Sequence, residues 1–192
     1  GSIALDLLGR EDVDGIVEAL LVILLNCRLA QDLTHFEIFP VSNHYPTPQC
    51  RGPALYCDNY LEGFHIPFVH NDLNNVLDYG DYDTEIYENY NLQVGYAKDG
   101  EEIFDIPENH IDHGKNVAAY YYWLYPNIML NFYPWGLSIN IVKPINISKT
   151  KVQFLTYVFD ESKLETGAGS SLDKVEREDE FVVEGVQKGI SS

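Results

Sequence analysis

Positive charge is scarce in this 192-residue chain: 12 Lys and Arg stand against 30 Asp and Glu, a formal net charge of −18. Nucleic acid is held by lysine and arginine on phosphates, so this balance argues strongly against it as a partner. A cationic substrate or a basic electron-donor protein suits the balance, although most of the charge is solvated surface. Cysteine is scarce as well. Cys27, Cys50 and Cys57 are an odd number without C-x-x-C spacing, so the thiols read as free and the compartment as reducing, that is, cytoplasmic. A membrane span is missing: the longest apolar run, Ile16 to Leu25, is short and interrupted by Glu18. There is no lipidation signal, G-x-S-x-G, Gly-rich phosphate loop, H-E-x-x-H or internal repeat. Gly1-Ser2 reads as a cloning remnant, which leaves any native N-terminus out of view.

What is abundant is apolar and aromatic. Hydrophobic residues make up 45% of the chain, enough to fold one domain with a sizeable core. The 14 Tyr and 9 Phe favour strands and can line a ligand cavity. Helical spacing is expected over residues 3–33, and a proline-rich irregular connection over 34–54, with a short strand at His35–Phe39. Residues 71–84 read as a loop, Glu85–Ala97 as a loosely alternating strand, Lys98-Asp99-Gly100 as a turn and Glu101–Lys115 as polar and irregular. Ala118–Tyr125, Ile128–Tyr133, Leu137–Lys143 and Lys151–Asp160 are strand-like with short spacers, which favours an antiparallel meander. After a Ser- and Gly-rich loop over 161–172, the pattern from Leu172 onward is helical.

The stretch from Asp58 to His70 combines two histidines, two carboxylates and an amide with Leu, Phe, Ile and Val. Burying so many ionisable groups unpaired is costly, and a buried metal site reconciles them with the apolar residues. Two imidazoles and one carboxylate are the ligand set of non-haem iron, holding one face of the metal and leaving the other open. Asp58, Glu62 and His65 share one helical face, while an ideal helix turns His70 about 140° away from His65. Pro67 lies between the histidines, and a bend there would let both converge on one ion. Glu62, one turn before His65, can accept a ring N–H or connect to an electron donor. Asn59 reads as a capping or positional amide, with a place beside the metal as the minority alternative.

The third ligand must come from elsewhere. In the last helix Asp179 falls in line with Val182, Val183, Val186 and Ile190, which puts a carboxylate on the apolar side. Glu176, Glu180, Glu184 and Gln187 point mostly elsewhere. Acids in the first turns of a helix complement its dipole, and that accounts for Glu176, Glu178 and Glu180 better than for Asp179. His110 and His113, beside Glu108 and Asp112, read as a solvated turn, and His35 and His44 as structural. Cys57 has no basic neighbour to make it a nucleophile.

Asp58-Asn59-Tyr60-Leu61-Glu62-Gly63-Phe64-His65 followed by His70 resembles the iron motif of Rieske-type non-haem iron oxygenases. The likeness is to the catalytic domain of their large alpha subunit, in the choline-monooxygenase-like, aromatic-ring-hydroxylating family. Tyr125-Pro126-Asn127-Ile128-Met129 resembles a strand segment of that family. Glu178-Asp179 with Glu184-Gly185-Val186-Gln187-Lys188-Gly189 resembles its C-terminal helix. The resemblance implies an α+β helix-grip (START-like) fold, a curved antiparallel sheet around a long C-terminal helix. It implies Fe(2+) on His65, His70 and Asp179, with Glu62 and Asn59 as further catalytic-site residues. Glu62 would link the iron to the Rieske cluster of a neighbouring subunit in a homotrimer.

The resemblance covers residues 55–192, expected as a mononuclear-iron catalytic domain; residues 1–54 are an N-terminal segment, a helix plus an irregular connection, to which the resemblance does not extend. Neither C-x-H nor C-x-x-H occurs, so the [2Fe-2S] cluster of the Rieske domain is expected on a partner or a missing domain, which with a ferredoxin or reductase supplies electrons. The segment Cys50–Tyr56 also lacks the Trp-containing strand of the family, and the chain ends soon after Gly189. It therefore reads as an excised catalytic domain or a rearranged relative. The expected activity is hydroxylation or oxidative demethylation of a small organic substrate, quaternary ammonium or aromatic. The alternative is a non-catalytic helix-grip ligand-binding module. A closed, four-ligand structural zinc site is a lesser reading.

Overall fold

A computed structural model describes residues 28–29, 36–40, 51–146 and 149–190. The helix expected over 3–33 lies outside the described residues apart from 28–29, as do most of the 34–54 connection, Cys27, Cys50, His35 and His44. Residues 28–29 are extended, as β1 (Arg28–Leu29), and β2 (Phe36–Pro40) stands where a short strand was expected.

Three helical segments follow: α1 (Arg51–Glu62), α2 (Ile66–Val69) and α3 (Asn71–Val76). Next come β3 (Asp83–Ile86), β4 (Tyr90–Tyr96), β5 (Val117–Leu124), β6 (Ile128–Tyr133), β7 (Gly136–Asn146) and β8 (Lys149–Val158). The chain closes on α4 (Leu172–Ile190). The strands form one sheet in the order β1-β8-β7-β6-β5-β4-β3, with β2 also on β8, and every pairing is antiparallel. The fold is α+β, a sheet gripping the C-terminal helix, as the resemblance implied.

Alternation along each strand divides the side chains between two buried faces. One face carries Leu92, Val94, Tyr120, Tyr122, Leu130 and Phe132, covered by Phe104 and Ile106 of the long β4–β5 connection. The other faces α1 and α4, where Met129, Val142, Val152 and Phe154 meet Tyr56, Cys57 and Val183. Both faces are buried, since every residue from Tyr90 to Gly95 and from Val117 to Tyr122 is; in β4 the alternation of Tyr90, Leu92 and Val94 with Asn91 and Gln93 therefore divides two buried faces and not core from solvent.

Two expected elements differ. Glu85–Ala97 is a hairpin, β3 and β4 around residues 87–89, and not one strand. Residues 71–84 hold α3 and a 3₁₀ turn at Tyr79–Asp81, where a loop was expected. The side chain of Asp78 accepts from the Gly80 N–H at that turn, so polar residues here cap short helices and do not merely solvate a loop.

Candidate metal centre

The first half of the site is built where α1 stops. Gly63 follows Glu62 with φ +60°, the left-handed conformation that commonly ends helices and that glycine adopts without strain. Pro67 falls in the first turn of α2, where a missing N–H leaves no bond unmade. The expected bend at Pro67 is therefore corrected to two breaks, one at Gly63 and one at His70, whose φ −97° and ψ 74° separate α2 from α3. The short α2 between them turns both imidazoles inward. His70 is 2% exposed, and the two rings meet edge to face with centroids 4.9 Å apart.

Asp179 comes from α4. Its Oδ1 lies 3.2 Å from Nε2 of His65 and 3.1 Å from Nε2 of His70, and one donor atom from each of the three residues fits within 4.8 Å of the others. The Asn59 amide donates to the same Oδ1 at 2.7 Å. Each ring is held from behind: Nδ1 of His65 meets Glu62 Oε1 at 2.5 Å, and Nδ1 of His70 meets Glu178 Oε2 at 2.8 Å. The backbone N–H of Phe64 also donates to Glu62. Burial pulls both histidines down, but Asp179 and the second carboxylates outweigh it and hold them above their ordinary value. Burial pushes Asp179 up, and its two histidine partners overcome that and lower it.

This donor set fits a divalent transition metal. Carboxylates on both Nδ1 atoms fix the tautomer that frees Nε2 for a metal, a recurrent arrangement around ligand histidines. Two imidazoles and a carboxylate leave coordination positions for other molecules, as non-haem ferrous sites do, whereas structural zinc sites close with four protein ligands.

A cavity of about 70 Å³ opens beside these residues, between the sheet and α4. That is room for a few waters or one small organic group. Tyr60, Tyr82, Tyr121 and Tyr133 line it, with Leu73 and Val175. Glu176 borders it one turn before Asp179. Tyr56 OH donates to Glu176 Oε2 at 2.7 Å and the Asn140 amide to Oε1 at 3.1 Å. Burial first, and then the charge of Asp179, pushes the Glu176 carboxyl up to about 8. Polar contacts continue along the sheet, from Asn140 to Asn131 at 3.4 Å and from Asn131 to Tyr60 OH at 2.8 Å.

A family model described as the ring hydroxylating alpha subunit (catalytic domain) matches residues 55–192. The chain belongs to that family. Choline monooxygenase, chloroplastic, of Arabidopsis thaliana is 36% identical over 147 residues, 72% of this chain and 32% of that protein. The carnitine monooxygenase oxygenase subunit of Escherichia coli is 30% identical over 140 residues, 70% of this chain and 36% of that protein. The chain thus spans about a third of the length of these curated relatives. The crystal structure of the quaternary ammonium Rieske monooxygenase CntA with an inhibitor matches at a TM-score of 0.66 and 18% identity, over 93% of this chain and 45% of that one. The CntA complex with L-carnitine gives 0.61 and 19%, over 94% and 44%. At such identity the likeness speaks to the fold.

In this member of the family, the structure brings His65, His70, Asp179, Asn59 and Glu62 into one neighbourhood, and adds two residues that sequence reasoning set aside. Glu176 and Glu178 were expected to serve the helix dipole; the first lines the cavity and the second holds His70. The inner face of α4 is corrected to run through Glu176, Asp179, Val183 and Gln187, while Val186 is 45% exposed. Positions 176, 179, 183 and 187 recur at helical spacing, but ranking by hydrophobicity passed over the acid and the amide among them. The segment of His110 and His113 is a turn with His113 exposed, as expected, but it buries Asp112. Asp112 is fully buried and accepts from Lys115 Nζ at 2.9 Å and Tyr120 OH at 3.0 Å, and His113 Nδ1 donates to the Ile106 carbonyl at 2.9 Å. These bonds pin the long connection to the sheet, away from the metal ligands. Among the described residues no helix is long and apolar enough to cross a membrane.

Proposed function

We propose that residues 55–192 form the catalytic domain of an oxygenase that hydroxylates or oxidatively demethylates a small organic substrate, with a quaternary ammonium favoured over an aromatic ring. The observation that carries this reading is the meeting of His65 Nε2, His70 Nε2 and Asp179 Oδ1 at the mouth of an aromatic cavity. His65, His70 and Asp179 would hold Fe(2+), whose chemistry when bound is the activation of O₂. The overall change is C–H plus O₂, two electrons and two protons to C–OH and water. The electrons come from a Rieske [2Fe-2S] centre on a partner subunit or a further domain, in the manner of the homotrimeric assembly the family resemblance implies.

The chain's own residues have distinct tasks in this reading. Asn59 holds Oδ1 of Asp179 and fixes the carboxylate toward the histidines. Glu62 reaches from His65 Nδ1 toward the surface, the position a link to an electron donor requires. Tyr60, Tyr82, Tyr121 and Tyr133 exclude water and offer ring faces to a cation. A free, buried Cys57 suits the reducing, cytoplasmic location expected from the sequence.

The test is anaerobic reconstitution with ferrous iron, followed by elemental analysis and peroxide-driven turnover of quaternary ammonium and aromatic substrates. One iron per chain and a hydroxylated or demethylated product are expected. A chain that binds these small molecules yet takes up no iron would be a ligand-binding module, and the oxygenase reading would fail.

A further inference from the structure

We infer that Tyr121, Tyr82 and Tyr79 form an escape route that carries oxidising equivalents from the metal cavity to the protein surface when no substrate C–H bond is in reach. The inference rests on the proposed oxygenase site and gives the chain a second task beside it, its own protection.

Three rings in near contact make the route. Tyr121 is buried in β5 and lines the cavity together with His65, His70 and Asp179. Its ring stacks on that of Tyr82, with centroids 6.4 Å apart and planes inclined by 25°. Tyr82 stacks in the same way on the half-buried Tyr79, at 5.8 Å and 25°. Both separations lie in the range of aromatic contact. Tyr82 borders two spaces, the metal cavity and an open surface groove. Water exclusion accounts for Tyr82 and Tyr121 but not for Tyr79, which does not line the cavity. A second branch runs from Tyr121 to Tyr133 at 6.0 Å and from Tyr133 to Trp135 at 5.1 Å. It ends in the core, on an indole N–H with no acceptor among the described residues. A proton has no way out there, so the Tyr79 branch is the one that leads to solvent.

The chemistry of the wall favours the same path. Methionine and cysteine, which oxidise readily, are not among the described lining residues: Met129 and Cys57 pack in a separate cluster around Val142 and Val183. The phenols are then the groups in the wall that yield an electron most readily, and His65 and His70 are the side chains at risk if they do not. The groove beside Tyr82 carries Asp78, Asp81, Asp83 and Asp99 against Lys98 and Lys115, so its field favours the positive charge left on a ring that has lost an electron.

Hydrogen peroxide is the oxidant, and ferrous iron, when bound, would supply the centre at which it is reduced. With substrate present, C–H plus H₂O₂ gives C–OH plus water. Without substrate, peroxide still takes two electrons and two protons to become two waters. In the inferred route the electrons come one at a time from Tyr79 through Tyr82 and Tyr121. At each step Tyr79 loses its phenolic proton to solvent, and one proton enters the cavity from solvent. A soluble thiol returns a hydrogen atom to Tyr79 after each step, so that two thiols end as one disulfide.

The experiment treats the full chain, loaded anaerobically with ferrous iron, with hydrogen peroxide and the spin trap tert-nitrosobutane, without substrate. Peptide mass spectrometry locates trap adducts and added oxygen. The iron-loaded chain is expected to carry an adduct on Tyr79, and the zinc-loaded chain none. Tyr82→Phe should lose the Tyr79 adduct and show several-fold more oxygen on His65 and His70. Tyr79→Phe should move the adduct to Tyr82. The inference is overturned if Tyr79 stays unlabelled with iron, is labelled equally with zinc, or is labelled as before in Tyr82→Phe. Should that variant fail to fold, the zinc control and Tyr79→Phe still decide, because an adduct anywhere but on Tyr82 in Tyr79→Phe overturns it as well. Substrate turnover separates the two claims. A chain that labels Tyr79 with iron yet converts no substrate sinks the oxygenase reading alone. One that converts substrate and leaves Tyr79 unlabelled sinks this inference alone. A chain that takes up no iron sinks both, since the route then has no source.

Discussion

Glu178 Oε2 stands 2.8 Å from Nδ1 of His70, while the next residue of α4, Asp179, meets Nε2 of the same ring at 3.1 Å. Consecutive residues of one helix therefore grip both nitrogens of one imidazole. Glu178→Ala should reduce metal affinity by about 10- to 100-fold, the usual effect of removing a hydrogen-bond partner from a ligand histidine. Glu178→Gln, which can still accept, should recover part of it. A competitive titration with a chromogenic chelator measures both.

His65→Ala and His70→Ala should each abolish iron binding. They should differ in stability. His70 is 2% exposed, so its loss leaves a cavity and an unpaired carboxylate, a cost of about 3 kcal/mol. His65 lies nearer the surface and should cost less. Thermal melts of the metal-free variants separate the two effects.

Glu62 accepts from His65 and from the Phe64 N–H at the exposed end of the site. Glu62→Gln should leave iron in place and slow reduction by a Rieske donor, read as a lower single-turnover rate at unchanged metal content. Loss of the metal instead would mark Glu62 as a ligand.

The metal-free protein should lose stability as pH rises. His65 and His70 sit above their ordinary 6.5, so their contribution is complete below that value and fades as pH climbs through the raised one. Glu176, pushed by burial and the Asp179 charge from 4.5 to about 8, acts in the same direction: its stabilisation is complete below 4.5 and is lost as pH passes through 8. Asp179 is lowered below 3.8, and its contribution disappears only on strong acidification. Between about pH 6 and 9 the melting temperature in chelator should therefore fall. A divalent metal should reverse the trend, because it competes with protons for both imidazoles. Melts across this range, with chelator and with zinc, check the sign.

Gly63→Ala should destabilise by about 1–2 kcal/mol, since φ +60° is strained for alanine. An added Cβ would meet nothing closer than 3.6 Å, so strain rather than collision is the cause. Gly63→Asn should be milder, because asparagine tolerates this conformation. Denaturant melts rank the three proteins.

The sheet strands and the closing helix were legible because turn residues such as Pro126-Asn127 and Pro134-Trp135 punctuate them. The hairpin at residues 87–89 was not, because a loose alternation runs through Glu85–Ala97 and neither Gly nor Pro stands at Tyr87-Glu88-Asn89 to mark the turn. At the site, His65, His70 and Asp179 stood out as ionisable groups in apolar company, and the motif around them completed the pattern. Glu176 and Glu178 escaped for the opposite reason. Among six acids in α4, Asp173, Glu176, Glu178, Asp179, Glu180 and Glu184, nothing local separates a residue that lines a cavity from one that faces water. Only their position relative to α1 and the sheet does so, and that is a property of the tertiary structure.

Glu176 and Asp179 share the inner stripe of one helix, three residues and so about 4.5 Å of rise apart. Like charges at that spacing oppose each other, and the Asp179 charge is one of the causes that raise Glu176. A cation held at Asp179 would therefore ease the loss of the proton one turn away, so that filling the metal's place and emptying the proton's become one coupled event.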